Sequence, residues 1–376
     1  MIPGIVIMLS FYTAANFYIA GKISLWFGIM LPESSRIIIT VIYLFLAFSL
    51  FFRFIPFPKN IRRIAVWISS YWMSIFIHML MLFVTADLLV LLGILFKLIL
   101  FPIPQIVRFY SGLAVLALLA LIIAYGIANT KKIKNASYTI QTKKVLAENL
   151  SIALVSDLHL GAANSEKLIL RTLKNINNLK PDIVCIAGDI FHDSPDALGN
   201  PSRVIDLFNS IASKYGVFAC LGNHDGGKSY DAKMKFLEQC NVRVLKDEHV
   251  IIDSRLALIG RVDSSPIGGF GGIKRKDISG LMASIDKELP IIVLDHNPAN
   301  IKQYDENFDL ILCGHTHRGQ IIPFKWITGI MYTANYGHYR KDSNSPHVIV
   351  TSGAGTATMP IRTGTNNETA QITFFS

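Results

Sequence analysis

The chain has 376 residues, 51% of them apolar, and a formal charge of +10. Taken whole, that charge would suit a nucleic acid or an anionic membrane surface. Its distribution separates the two: residues 1–130 sum to +6, residues 131–144 add five lysines and no acid, and residues 145–376 sum to −1, which leaves no excess charge for a nucleic-acid channel in the C-terminal part.

The first third reads as membrane helices. About 20 apolar residues cross a bilayer core, so the apolar runs 2–20, 37–52 and 109–128 predict one helix each, the short second one extended by Arg36 or Arg53 reaching back to the interface. The run 64–100 is long enough for one tilted helix or for two that turn near Asp87. Loop charges favour four helices over five. With the N-terminus inside, the cytoplasmic segments hold nine Lys/Arg and the outer loops four, as the positive-inside rule requires. No basic residue precedes the first run, so it does not read as a cleaved signal peptide. His78 and Asp87 are nine positions apart and half a turn out of phase, which argues against a pair, and Trp67, Tyr71 and Trp72 read as an interfacial belt. The expectation is a multi-pass transmembrane domain over 1–130 in the cell membrane, a basic linker over 131–149, and a cytoplasmic domain over 150–376.

In that last segment, β-branched runs at 152–156, 183–187, 217–221, 291–294 and 310–313 each stop at a short polar motif. The motifs are Asp157-Leu158-His159, Gly188-Asp189, Gly222-Asn223-His224-Asp225, His296-Asn297 and Gly314-His315-Thr316-His317. Helix-like stretches at 165–179 and 202–215, the second capped by Pro201-Ser202, alternate with the first runs and predict βαβ units with a largely parallel sheet. In such sheets ligands bind beyond the carboxyl ends of the strands, where every motif falls. Strand-like runs at 242–245, 250–252, 256–259, 347–350 and 371–375 predict a second, mixed sheet packed on the first. The glycines around Phe270 predict a mobile loop. The four cysteines are read as reduced and buried, and none has a CxxC spacing, so sulfur ligation of a metal is not expected.

Aspartate, histidine and asparagine delivered from strand ends are the donors of a hard-to-borderline divalent metal. Any one motif alone is an ordinary polar turn more often than a ligand pair; five in succession are specific. The stretches Ser156-Asp157-Leu158-His159-Leu160-Gly161, Ala187-Gly188-Asp189, Leu221-Gly222-Asn223-His224-Asp225, His296-Asn297-Pro298 and Gly314-His315-Thr316-His317 together resemble the ordered signature of the calcineurin-like metallophosphoesterase superfamily. The leading apolar helices, Gly319-Gln320, and Thr351-Ser352-Gly353-Ala354-Gly355 with Pro360-Ile361-Arg362 resemble its bacterial membrane-associated branch.

The resemblance implies an α/β fold, a four-layer α/β/β/α sandwich of two mixed sheets flanked by helices, preceded by the all-α transmembrane domain. It also implies two divalent metal ions per chain, Mn²⁺ first, with Fe, Zn²⁺ or Mg²⁺ as alternatives. Asp157, His159, Asp189 and His317 would hold one ion and Asp189, Asn223, His296 and His315 the other, with Asp189 bridging two cations that otherwise repel. A hydroxide bridging the metals would attack the phosphorus in line. His224 would protonate the leaving oxygen, with Asp225 orienting it. Arg318, where the family often has glycine, and Arg362 are candidate contacts to a substrate phosphate or solvated side chains. Asp295, and Ala299-Asn300 after Pro298, also depart from the family pattern without removing a ligand, and bear on substrate choice. His338 and His347 read as structural or surface residues.

The function expected from these readings is membrane-integral hydrolysis of a phosphodiester or phosphomonoester, lipid-linked, by a dinuclear-metal enzyme, with no nucleic-acid partner and the oligomeric state open. Two alternatives stand beside it: a non-catalytic metal-binding membrane scaffold or sensor, and a nuclease of the same superfamily. The complete donor set with His224 weighs against the first, and the −1 balance of 145–376 against the second.

Overall fold

The structure, a computed structural model, describes residues 2–55, 57–161 and 166–376 and divides into two units, Met1–Ile127 and Ala128–Ser376. Ser165, expected to start a helix, and the side chain of Arg53 lie outside the described residues.

The first unit is built from α1 (Ile2–Phe27), α2 (Glu33–Phe48), α3 (Lys59–Leu95) and α4 (Gln105–Asn129), whose last two residues fall in the second unit. All four are long and apolar enough to cross a membrane. Pro32 and Pro58 stand just ahead of α2 and α3, where a missing N–H costs nothing. The ambiguous run after Ile64 is one helix: α3 continues through Asp87 for 37 residues, about 55 Å at 1.5 Å per residue. Asp87 accepts hydrogen bonds from the Tyr18 hydroxyl and the Lys22 ammonium, both at 2.6 Å, so its partners come from α1 and not from His78. Trp67 is exposed and packs on Tyr71 with ring centres 4.6 Å apart. Trp72 departs from the expected belt. It is buried against Tyr43 of α2 with ring centres 5.1 Å apart, because it lies on the face of α3 that packs inside the bundle.

Among its described residues the second unit holds twelve strands: β1 (Ile133–Gln141), β2 (Leu150–Val155), β3 (Ile183–Ala187), β4 (Val217–Cys220), β5 (Val242–Val244), β6 (Glu248–Ile252), β7 (Leu256–Gly260), β8 (Ile291–Leu294), β9 (Leu310–Cys313), β10 (Gly337–Tyr339), β11 (His347–Val350) and β12 (Asn367–Phe375). They form two six-stranded sheets in the orders β1-β12-β2-β3-β4-β5 and β10-β11-β9-β8-β7-β6. Both sheets are mixed. In the first, β12 runs parallel to β1 and antiparallel to β2, and the remaining pairs are parallel; in the second, the outermost pairs are antiparallel and the inner ones parallel.

Side-chain alternation explains the layering. Along β3, Ile183, Cys185 and Ala187 enter the core between the sheets, where they meet Leu258, Ile292, Leu294 and Leu312 of the second sheet. Val184 and Ile186 point the other way, onto Ile169 and Leu173 of α5 (Glu166–Asn178), Val204 and Phe208 of α6 (Pro201–Asn209), and Leu237 of α7 (Tyr230–Gln239). On the far side, Ile259, Val293 and Ile311 pack against Leu281 of the short α8 (Ile278–Met282) and against Ile301 and Tyr304. The result is the four-layer α/β/β/α sandwich.

Four local expectations change. The runs 242–245 and 371–375, expected in the second sheet, are β5 and β12 of the first. The lysine-bearing segment 131–149 contains a strand: β1 pairs with β12 from Ile133↔Asn367 to Gln141↔Phe375, its polar residues being those of an exposed edge. The second helix ends at Asn209 rather than near Tyr215, because Asn177 binds the backbone of Ser210 and Ala212 through its two side-chain ends, and its cap is Asn200, which accepts from Arg203 N. The glycine-rich loop is anchored rather than mobile. Phe270 is 1% exposed in a cluster with Leu221, Tyr230 and Val262, and Gly269 O accepts from Gly227 N at 2.7 Å.

Candidate metal centre

All the motifs lie where β2, β3, β4, β8 and β9 end, at one rim of the facing sheets. Their backbones are unusual. Asp157, His159, Asp189, His315, His317 and Arg318 all have φ between 45° and 71°, a left-handed region that costs a non-glycine residue of the order of 1 kcal/mol. The chain turns sharply at each strand end, and that turn is what aims the side chain inward. Gly188 and Gly222 let two of these turns touch: a Cβ on Gly222 would stand 2.3 Å from Asp189 N.

Among the described residues, two groups of donors gather the motif side chains. In one, Asp157, His159 and His317 converge, with His317 Nε2 3.3 Å from Asp157 Oδ1 and 3.0 Å from His159 Nε2. In the other, Asp189, His296 and His315 converge. Here His296 Nε2 lies 3.3 Å from Asp189 Oδ2, and His315 Nδ1 lies 3.2 Å from His296 Nε2 and 3.0 Å from Asn223 Oδ1. Asp189 stands between the groups, since the same Oδ2 is 3.7 Å from His159 Nε2. His296 Nδ1 is 2.8 Å from Ala187 O, which holds the ring with its Nε2 edge turned to the site.

Electrostatics fit a cation-binding role. Burial lowers the pKa of His159, His317 and His315, the last to about 4, so these imidazoles offer lone pairs at neutral pH. His296 goes the other way: burial opposes protonation, and Asp189 and Asp157 outweigh it. Asp189 is held well below the usual carboxylate range by His296 and His159 against the effect of burial. Burial raises Asp157 to about 6. Ring nitrogens 3.0–3.2 Å apart and two buried carboxylates, with the half-buried Asn223 amide oxygen beside them, are a donor set that divalent cations satisfy.

The remaining candidates fall in different places. His224 sits beside the first group, its ring 5.0 Å from that of His159, and its backbone N–H donates to Asp189 Oδ1 at 2.8 Å. Asp225 accepts from the backbone N–H of Gly222 and of Phe191, so both its oxygens brace the loop backbone. Arg362 is fully buried. It donates to Thr365 Oγ1 and to the carbonyls of Asn366, Ser352 and Gly355, and its Nη2 is 3.2 Å from His317 Nδ1. A guanidinium so enclosed has no face for a substrate phosphate, because the strap of carbonyls takes its fork. Arg318 lies over the Tyr336 ring, 4.0 Å from its centre. Asp295 is held by Arg275 and the Tyr304 hydroxyl, both at 2.6 Å, which explains why a carboxylate is accommodated next to His296.

Two residues escaped the sequence reading. His192, three positions after Asp189, stacks on His224 with ring centres 5.3 Å apart and forms a third cluster with His159 and His224; its place on the Gly188-Asp189 loop was the available signal. Lys233, 3% exposed, donates to the carbonyls of His224 and Gly226. Nothing in the sequence marks it off from a surface lysine of α7.

Two mixed sheets with a rim of aspartates and histidines define a metallophosphoesterase type of domain, and comparison with known proteins agrees. Residues 150–319 match the calcineurin-like phosphoesterase family; the chain carries a domain of the calcineurin-like metallophosphoesterase superfamily. It is 29% identical over 235 residues to an uncharacterized metallophosphoesterase of Campylobacter jejuni, covering 59% of this chain and 60% of that one. It is 25% identical over 281 residues to a Danio rerio protein called transmembrane protein with metallophosphoesterase domain, covering 70% and 62%. The chain spans about three fifths of the length of the curated relatives it matches first. Among solved structures, a putative 5′-nucleotidase from Staphylococcus aureus aligns over 61% of this chain and 55% of its own at 12% identity and a TM-score of 0.39.

Proposed function

We propose that the protein is a membrane-integral, dinuclear-metal phosphoesterase that hydrolyses a lipid-linked phosphodiester or phosphomonoester at the cytoplasmic face. The observation that carries the reading is the pair of three-donor groups with Asp189 between them. Asp157, His159, Asp189 and His317 would hold one ion and Asp189, Asn223, His296 and His315 the second, Mn²⁺ being the first choice. When bound, such ions supply Lewis acidity toward the phosphoryl oxygens and acidify a water to near neutral pH.

The protein's own groups do the rest. Asp189 uses one oxygen toward the donors and the other to receive the backbone N–H of His224, so the loop that carries the acid is tied to the carboxylate that would serve both ions. Lys233 holds the His224 carbonyl from beneath. The His224 ring is thereby placed to hand a proton to the leaving oxygen. Four helices of membrane-crossing length, nine inner cations against four outer ones and the lysines of 131–144 support a substrate presented at the cytoplasmic bilayer surface.

The test is Mn²⁺-dependent hydrolysis of a soluble aryl phosphodiester by the full chain in detergent or nanodiscs. Asp189→Ala is expected to abolish turnover, and His224→Ala to lower kcat by roughly 10²–10³-fold. Full activity in both variants overturns the mechanism.

A further inference from the structure

Between β9 and β10 the chain forms α9 (Phe324–Met331), Phe-Lys-Trp-Ile-Thr-Gly-Ile-Met, none of whose residues is buried. Ile330 is 88% exposed, Met331 67% and Trp326 61%, with Ile327 beside them. Among the described residues of the second unit, the other exposed large apolar side chains, Val145, Leu170, Ile251 and Ile267, do not share an element. Four exposed apolar residues within one eight-residue helix form a contiguous surface that water does not favour and that marks an interaction site.

Three features identify what covers it. First, residues 318–341 contain Arg318, Lys325, Arg340 and Lys341 and not one aspartate or glutamate, so the patch is both apolar and cationic, the combination that anionic lipid attracts. An open groove of about 610 Å³ beside the helix is lined by Arg318, Lys325, Trp326, Ile330 and Tyr336. Second, only Thr130, Lys131 and Lys132 separate α4, a helix of membrane-crossing length, from β1, a reach of about 10 Å. Third, α9 begins near that entry point. Asn129 donates to the carbonyls of Arg362 and Thr365, and the same loop binds Gln320 through Met359 O and Gly364 N, four residues ahead of α9.

We propose that α9 is an interfacial helix that seats its Trp326, Ile327, Ile330 and Met331 face in an anionic lipid bilayer, beside the rim that carries His315 and His317. His315 lies 6.0 Å ring to ring from Tyr332, the residue after the helix, so lipid engaged by α9 is delivered next to the donors.

The test uses the full chain in nanodiscs of phosphatidylcholine and phosphatidylglycerol and needs no turnover. All four native cysteines are buried, so a nitroxide attached to Ile330→Cys reports one position, with Val145→Cys, 86% exposed in the native chain, as the aqueous control. Power-saturation EPR compares collisions with oxygen, which concentrates in lipid, and with a water-soluble nickel chelate. At position 330 oxygen is expected to dominate several-fold, and at position 145 the chelate; Met331→Cys is expected to follow position 330. A probe at 330 that matches the one at 145 overturns the proposal. So does a probe shielded from both reagents, which means that a second copy or another protein covers the helix.

Discussion

Arg362 shows how a single residue sustains the site without facing it. Its guanidinium fork gathers the carbonyls of Ser352, Gly355 and Asn366 and abuts the rear of His317, so the strap and the His317 loop hold one position together. Lysine carries the charge but not the fork. Arg362→Lys is therefore expected to leave at least one buried carbonyl without a donor, costing about 3 kcal/mol. For a unit of this size that lowers Tm by roughly 6–12 °C, read by thermal unfolding followed by intrinsic fluorescence; an unchanged Tm would show that the strap stands without it. Asp225 belongs to the same kind. Burial, reinforced by Asp189, raises its carboxyl to about 7, and its two accepted backbone hydrogen bonds keep the Gly222 and Phe191 loops in register rather than steering the His224 ring.

At the scale of elements, the loop around Phe270 makes the sharpest case. Phe270 fills the cluster of Leu221, Tyr230 and Val262, and Phe270→Ala removes an aromatic ring from a closed site, a loss of about 3 kcal/mol. Hydrogen exchange of residues 265–273 is expected to accelerate accordingly, with the sheets unaffected; unchanged exchange would mean that backbone contacts alone hold the loop. Glycine content in a sequence announces permitted φ angles, and Gly268, Gly269, Gly271 and Gly272 do all have positive φ. It does not announce whether the residue between them finds a core. The same distinction separates what was legible from what was not. The strands that precede the motifs are continuous β-branched runs buried on both faces, so length and composition locate them. β1 is an edge strand with alternating exposure and a polar sequence, and its lysines read as a linker. The donors were legible because strand ends gather them by type and order. Their left-handed backbones, Lys233 beneath His224 and Asp87 bound by Lys22 depend on contacts between distant segments, which no local pattern encodes.

Over the whole molecule, the donors form a cluster of buried polar groups whose mutual repulsion and desolvation a bound cation relieves. Metal should therefore act on stability as well as on turnover. At free Mn²⁺ one hundred times its Kd the native state gains about 2.7 kcal/mol, so chelator-stripped protein is expected to unfold several degrees earlier and to recover on Mn²⁺ addition. In Asp189→Ala, which lacks the carboxylate between the two groups, that recovery is expected to shrink. Equal Tm with and without chelator in the parent protein would count against a metal-binding centre.

The position of β12 has a consequence for how the chain is made. It lies between β1 and β2, yet it pairs with residues more than 210 positions earlier. Closing a loop of that length costs little extra entropy, but at 5–20 residues per second the ribosome takes roughly 10–40 s to supply the missing partner. For that interval the nascent domain exposes two unsatisfied strand edges while the apolar helices ahead of it have already emerged. Lys134, and the lysines flanking β1, give the waiting edge a charge that discourages pairing with a neighbouring chain. The segment that reads as a linker is, during synthesis, a guarded vacancy for the last strand.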